Sequence, residues 1–417
     1  MKKFILLILL FLSLSVNTAH AQEKTKPTWW KIQSIDTMKY SRDKAREKLA
    51  DPSFDAIIEM QIRDIAQTGA THVAIGTPYD NEFLPFLKRW VDTARKYNLK
   101  IWFRGNFSGW EGWFDYPPIS REEHLKLTEK FIKENNNLFK DGDIFISCPE
   151  CENGGPGDPR QTNDIEGHRK FLLESKKIAV KTFLSLGKQG IETSYFSMNG
   201  DVAKLIMDKN TTQELGGIVT IDHYVKNGEQ LAKDIKEYIN LSGGKIVLGE
   251  FGAPIIDING EMNEQQQHDW IQDTLKQISQ IDGVIGLNYW TGTGGSTQIW
   301  EPNGKPRLAI KAINSYYSPL IISGAIVNKI NQPISYAELT YNENIYKSDV
   351  DGHFLIKLPS LEDSSQKSFS LNIAASDHIA TIEKLNINNT TNLNFILEKE
   401  YEGIFFKIQK FFYNLFN

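Results

Sequence analysis

Between Trp30 and Tyr317 eight short apolar runs alternate with helix-patterned segments, and no other pattern in the chain limits its fold as much. The runs are Ile32–Asp36, His72–Gly76, Lys100–Arg104, Asp143–Cys148, Glu192–Ser197, Gly217–Asp222, Lys245–Gly249 and Val284–Tyr289. Each is too short for a stable helix, and several lack alternation of apolar and polar residues, as strands buried on both faces do. The segments between them carry helical spacing instead. Ile57, Ile58, Ile62 and Ile65 fall on one face, and Ser120-Arg-Glu-Glu123 reads as a capping box that opens a helix through Phe131. Asp164–Leu186 is long and amphipathic with Gly187 as its stop, and Glu264–Ile281 and Lys305–Tyr316 carry the last two helical patterns. Strand and helix in strict alternation predict a parallel α/β fold, and eight repeats of it predict a closed (β/α)8 TIM barrel. A doubly wound sheet is the alternative, but no Gly-rich phosphate fingerprint follows the first strand.

The chain has 417 residues, enough for a large barrel and a smaller module. The ends read differently from the centre. Lys2 and Lys3, the apolar run Phe4–Leu12 and Ala19-His20-Ala21 have the order of a secretory signal over 1–21, followed by a linker over 22–29. The barrel is assigned to 30–318. Past Ser318-Pro319 the pattern changes to short strands and turns over 319–398, an all-β sandwich. A glycine strand at Gly324, a Pro-Ile-x-x-Ala strand at Pro333–Ala337 and an Asp-x-Asp-Gly-x-Phe turn at Asp349–Phe354 make this part similar to the carboxypeptidase regulatory-like, transthyretin-like family. That resemblance implies an accessory module without catalysis. In 399–417, Ile404, Phe405, Ile408, Phe411, Phe412, Leu415 and Phe416 form one apolar helical face. Such a face docks on its own protein, on a partner, or on a membrane surface.

A net charge of −5 and the lack of a basic stripe speak against nucleic acid as a partner. Cys148 and Cys151 are the only cysteines. Two thiols do not complete a zinc site. If Asp143–Cys148 continued as an extended strand, positions i and i+3 would stand roughly 10 Å apart, too far to bridge. Buried packing thiols and a strand-end disulfide are both open readings.

Two of the runs lead directly into a glutamate: Asp143-Ile-Phe-Ile-Ser-Cys-Pro-Glu150 and Lys245-Ile-Val-Leu-Gly-Glu250. In a (β/α)8 barrel the C-terminal strand ends converge on one face, and a pair of carboxylates there suits glycosidic bond cleavage. The first segment resembles the fourth strand of clan A glycoside hydrolases, in particular the endo-mannanase kind, with its Asp-x-Phe-x-x-x-x-Glu run. Lys245–Pro254 resembles the clan's seventh strand. The resemblance implies Glu150 as acid/base and Glu250 as nucleophile. It departs from the clan where Pro149, rather than asparagine, precedes Glu150, and Glu152 is a rival acid two residues on.

Other strand ends supply substrate-binding candidates. Asp222-His223-Tyr224 follows the sixth strand, where the clan places a tyrosine or histidine against the nucleophile, so Tyr224 is expected to donate to Glu250. Trp290 is expected to floor a sugar subsite, because a flat indole stacks on the C–H face of a pyranose. Trp110 and Trp113 are expected to line outer subsites, and Asp36, Arg104, Asn106 and Asn199 to meet sugar hydroxyls. No cofactor or metal is expected, since the first strand lacks His-x-His and only His223 of the eight histidines stands at a C-terminal strand end. No Gly-x-Ser-x-Gly elbow suggests a serine esterase.

The reading is an exported, retaining glycoside hydrolase acting on a poly- or oligosaccharide. The alternatives are a non-catalytic carbohydrate-binding or cell-surface protein with a degenerate cleft, and a lyase or transglycosidase on the same barrel.

Overall fold

The computed structural model describes residues 28–360 and 368–400. The expected signal segment and the helix over 401–417 lie outside the described residues. Among the described residues no helix is long and apolar enough to cross a membrane.

Eight parallel strands form one curled sheet in the order β4-β3-β2-β1-β8-β7-β6-β5. They are β1 (Ile32–Asp36), β2 (His72–Ile75), β3 (Lys100–Phe103), β4 (Ile144–Phe145), β5 (Ser197–Asn199), β6 (Ile218–Asp222), β7 (Lys245–Phe251) and β8 (Val284–Tyr289). The ring closes between β4 and the segment entering β5. Ile144 bridges Glu192 in parallel, Phe145 N donates to Glu192 O at 2.9 Å, and Gly142 N to Gly190 O at 2.7 Å. This is the (β/α)8 barrel that the alternation predicts.

Two strands depart from expectation. β4 has two residues rather than running to Cys148, and β5 begins at Ser197, where the expected strand ends. The Asp143 carboxylate anchors the start of β4: it accepts from Ile101 N at 2.9 Å and Lys140 N at 2.8 Å and pairs with Arg95. One more bond, Ile146 N to Phe103 O at 3.3 Å, follows Phe145 before the chain leaves the sheet and turns at Glu150.

Helices cover the barrel. Asp55–Gln67 buries Ile58, Ile62 and Ile65, while Ile57 is only partly covered. Ser120 caps Arg121–Glu134 by accepting from Glu123 N at 3.2 Å. The two-armed capping box is found elsewhere, between Asn263 and Gln266 at the start of Glu264–Ile278.

A second, separate apolar core lies between a four-stranded and a three-stranded sheet. The strands are β9 (Leu320–Asn328), β10 (Glu338–Tyr341), β11 (Asn344–Lys347), β12 (His353–Leu358), β13 (Ser368–Ala374), β14 (Thr381–Asn386) and β15 (Leu393–Leu397), ordered β11-β10-β13-β14 and β12-β9-β15. Burial alternates along β12 and β13, as a sheet with one wet face requires. Gly324 has no room for a side chain, because a Cβ there would collide with Leu393 O. At the turn into β12, Gly352 holds φ +75° and Phe354 enters the core. Pro333–Ala337 is not the strand expected from sequence. Pro333 makes an isolated bridge to Val327, and Ile334 and Ala337 pack inward from a turn. The two parts touch where Lys357 Nζ donates to Thr28 O at 2.6 Å and Ser360 N to Ser315 O at 2.7 Å.

Candidate active site

The C-terminal strand ends bring a buried cation and a ring of carboxylates together. Arg104, directly after β3, is only 1% exposed. Its guanidinium donates to Asp222 Oδ2 and Glu250 Oε1 at 3.1 Å each and to Ser197 Oγ at 3.2 Å, stands 3.5 Å from Asp36 Oδ2, and bonds Gly249 O. Burial opposes its charge, and Asp222, Glu250 and Asp36 more than offset that. A lone cation inside a barrel needs such company, since an unpaired buried charge is very costly.

Glu250 is set by a bulge in β7. Ile221 pairs with Leu248 but Asp222 pairs with Glu250, so Gly249 is the extra residue. A Cβ at Gly249 would collide with Asp222 Oδ1, which explains glycine at this point. The Glu250 carboxylate takes Arg104 on one oxygen and the Tyr224 hydroxyl, at 2.7 Å, on the other. Burial raises its pKa, Glu150 adds to the rise, and Arg104 and Tyr224 oppose it. Tyr224 is the expected donor, kept protonated by burial and by the Glu250 charge.

Glu150 reaches the same cleft from a turn rather than a strand. Its φ of 46° is in the left-handed region, uncommon for a residue with a side chain. One oxygen from each of Glu150, Asp222 and Glu250 lies within 4.8 Å of the other two. Among the described residues no hydrogen bond reaches the Glu150 carboxylate. Burial, then the nearby Glu152 charge, push its pKa up to about 7. Glu152 is turned away. Its Oε1 accepts from Asn199 N at 2.6 Å and Asn199 Nδ2 at 3.1 Å, which commits both residues to fastening this loop onto β5.

Cys148 and Cys151 are disulfide-bonded. An extended strand would place them out of range, but the chain turns at Glu150 and brings their Cα atoms to 5.1 Å.

The remaining candidates divide into two groups. Trp290 is half-buried, packs edge-on against Tyr224 at 6.0 Å, and has Lys39 Nζ 5.5 Å from its ring centre. Trp113 is also half-buried, with the Arg42 guanidinium 4.8 Å from its ring centre. The others do not face the cleft as expected. Asp36 is 0% exposed and accepts from Met38 N at 2.6 Å and Asn288 Nδ2 at 3.1 Å, so it and Arg104 form the floor beneath the carboxylates. Asn106 is equally buried and spends its amide on Glu111 Oε1, Phe107 N and His124 Nε2. Trp110 is sealed against Phe171, rings stacked at 4.8 Å, and its Nε1 donates to Cys151 O at 3.2 Å. It supports the Glu150 loop and lines no subsite. The His223 ring points to Asp234 Oδ2 at 2.9 Å and to Tyr238, and only its backbone N meets Glu250, at the carbonyl.

Sequence reasoning passed over Asp222, Ser197 and Glu111. Arg104 carried the missing signal, because a buried guanidinium at a strand end calls for more anions than Glu250 alone. Glu111 adds a further acid near the cleft, pushed up to about 7 by burial.

No protein-family model matches the chain, and no curated protein matches its sequence. Among solved structures, similar ones include the β-glucuronidase of Dictyoglomus thermophilum, with 16% identity and a TM-score of 0.46 over 70% of this chain and 51% of that one. A β-galacturonidase from Eisenbergiella tayi bound to galacturonate shares 13% identity at a TM-score of 0.48, over 69% of this chain and 51% of that one. The Bacteroides uniformis β-glucuronidase shares 10% at 0.47, over 88% of this chain and 46% of that one. The chain thus spans about half the length of each of these proteins. The likeness is one of shape, and the barrel assignment stands on the chain's own strand order.

Proposed function

We propose that the chain is an exported, retaining glycoside hydrolase acting on a poly- or oligosaccharide. The observation that carries this reading is the Glu150–Glu250 pair, in which one oxygen of each lies within 4.8 Å of one of the other in unlike surroundings, a closeness that favours the shorter of the two carboxyl spacings that glycosidases use. Retaining enzymes hold their carboxyl groups about 5–5.5 Å apart, whereas inverting ones leave about 6.5–9.5 Å for a water.

In this mechanism Glu250, charged against Arg104 and Tyr224, attacks the anomeric carbon as the glycosidic C–O bond breaks. Glu150, held protonated near neutral pH, gives its proton to the leaving oxygen. In the second step Glu150 takes a proton from water, the hydroxide attacks the same carbon, and the Glu250–sugar bond breaks. Trp290 supports a sugar beside the pair, and Trp113 a more distant one. The sandwich over 319–398 serves as an accessory module, in keeping with its sequence resemblance.

The test is a panel of polysaccharides and aryl glycosides, with wild type set beside Glu250→Ala and product release measured. Turnover by wild type and none by the variant is expected. Saccharide binding without any product would favour the non-catalytic reading, and unsaturated or transferred products would favour a lyase or transglycosidase.

A further inference from the structure

Glu150 is enclosed by a covalent ring. The bonded residues Cys148 and Cys151 lie two positions before it and one after, so the loop between them contains only Pro149 and Glu150. Both cysteines are buried. Within this ring Glu150 holds φ 46° and ψ 54°. Residues with a Cβ favour this region only where surrounding structure imposes it. The ring is fastened to the barrel on two sides, by Glu150 N donating to Ser197 O at 2.8 Å and by Trp110 Nε1 donating to Cys151 O at 3.2 Å. No described hydrogen bond holds the carboxylate itself, so its place in the cleft is set through its backbone.

We propose that the Cys148–Cys151 disulfide is the positioning element for Glu150, locking the left-handed turn that aims its carboxylate at Glu250 and Asp222. The proposal rests on reading Glu150 as the acid/base. A four-residue ring leaves Pro149-Glu150 no route to extended backbone. Without the bond the turn relaxes and the carboxylate swings out toward water. The two cysteines are positioning residues and touch no substrate.

Three measurements test this. Alkylation of the denatured, unreduced chain should find no free thiol, and two free thiols would overturn the proposal. In Cys148→Ser/Cys151→Ser, checked for folding by circular dichroism, kcat should fall by about 100-fold, the scale expected for a catalytic group displaced by about 1 Å, with KM little changed. The alkaline limb of the pH profile should also move to lower pH, which a purely structural bond would not cause. Cys148→Ala/Cys151→Ala, suited to the apolar surroundings, is the companion variant if the serine pair folds poorly. The third readout needs no turnover: the Glu150 carboxyl, followed by NMR, should titrate closer to an ordinary glutamate once the bond is removed. An unchanged titration in a folded variant would overturn the positioning role whether or not the protein proves to be a glycosidase. A wild type inactive on every saccharide would count against the glycosidase reading alone.

Discussion

Glu250 and Glu150 meet in one cleft but are held there by opposite means. Glu250 belongs to a seven-residue strand, sits at a bulge, and has a hydrogen-bond donor on each oxygen. Glu150 follows a two-residue strand, sits in a strained turn, and has its backbone tied while its carboxylate is left unbonded. Burial raises the pKa of both, but the donors on Glu250 oppose the rise and suit it to attack on carbon, whereas a group left unbonded beside other carboxylates suits holding a proton near neutral pH. The contrast assigns the roles better than either position does alone.

Removing each carboxylate in turn should give the largest effects. Glu250→Ala should abolish turnover with any leaving group. Glu150→Ala should lower kcat by about 10²–10⁴-fold, the usual worth of a general acid, and much less for a substrate whose leaving group needs no proton. Equal losses on both kinds of substrate, measured by steady-state kinetics, would break the distinction.

Tyr224→Phe sharpens the comparison at Glu250. A hydrogen bond to a charged group is worth about 1.5–3 kcal/mol, so kcat/KM should drop about 10- to 100-fold. Losing a donor to the anion raises its pKa, so the acid limb of the pH profile should move to higher pH. A limb that stays in place would show that Arg104 alone keeps Glu250 charged.

Stability should report on Glu150. Its pKa in the fold, about 7, lies above that of an unfolded glutamate, so between those values the native state binds more protons than the unfolded one. Its contribution to stability is therefore fully present at low pH and is lost as pH rises through about 7. The uncharged Glu150→Gln should melt increasingly above wild type as pH rises from about 5 to about 8. Comparing the two proteins cancels the buried histidines His72, His124 and His168, whose lowered pKa values act in the opposite direction. A melting difference independent of pH would place Glu150 in water.

Glu152→Gln should have the smallest effect. It keeps an acceptor for Asn199 N and removes a charge that raises the Glu150 pKa, so activity persists and the alkaline limb moves slightly to lower pH. A dead Glu152→Gln would transfer the acid role two residues along.

The barrel was legible because its pattern is global: eight apolar runs, each followed by a helical segment, admit few closed arrangements. Glu250 and Tyr224 were legible for the same reason, since a long strand fixes what stands at its end. The Glu150 neighbourhood was read less well. Nothing local in Asp143–Cys148 shows that the strand stops at Phe145 and that the chain turns at Glu150, and an extended reading keeps the cysteines apart. The candidate sugar contacts Asp36, Arg104 and Asn106 were correctly placed at the strand ends but given the wrong partners. Polar residues inside a barrel satisfy one another first, and which of them remain open to a ligand depends on packing depth, which sequence spacing does not encode.

Double displacement by this pair of carboxylates is read out by the stereochemistry of the product. Proton NMR of the first sugar released from an aryl glycoside that wild type hydrolyses should show the anomeric configuration of the substrate before mutarotation. Release of the opposite anomer would mean a single displacement by water and would rule out Glu250 as the nucleophile.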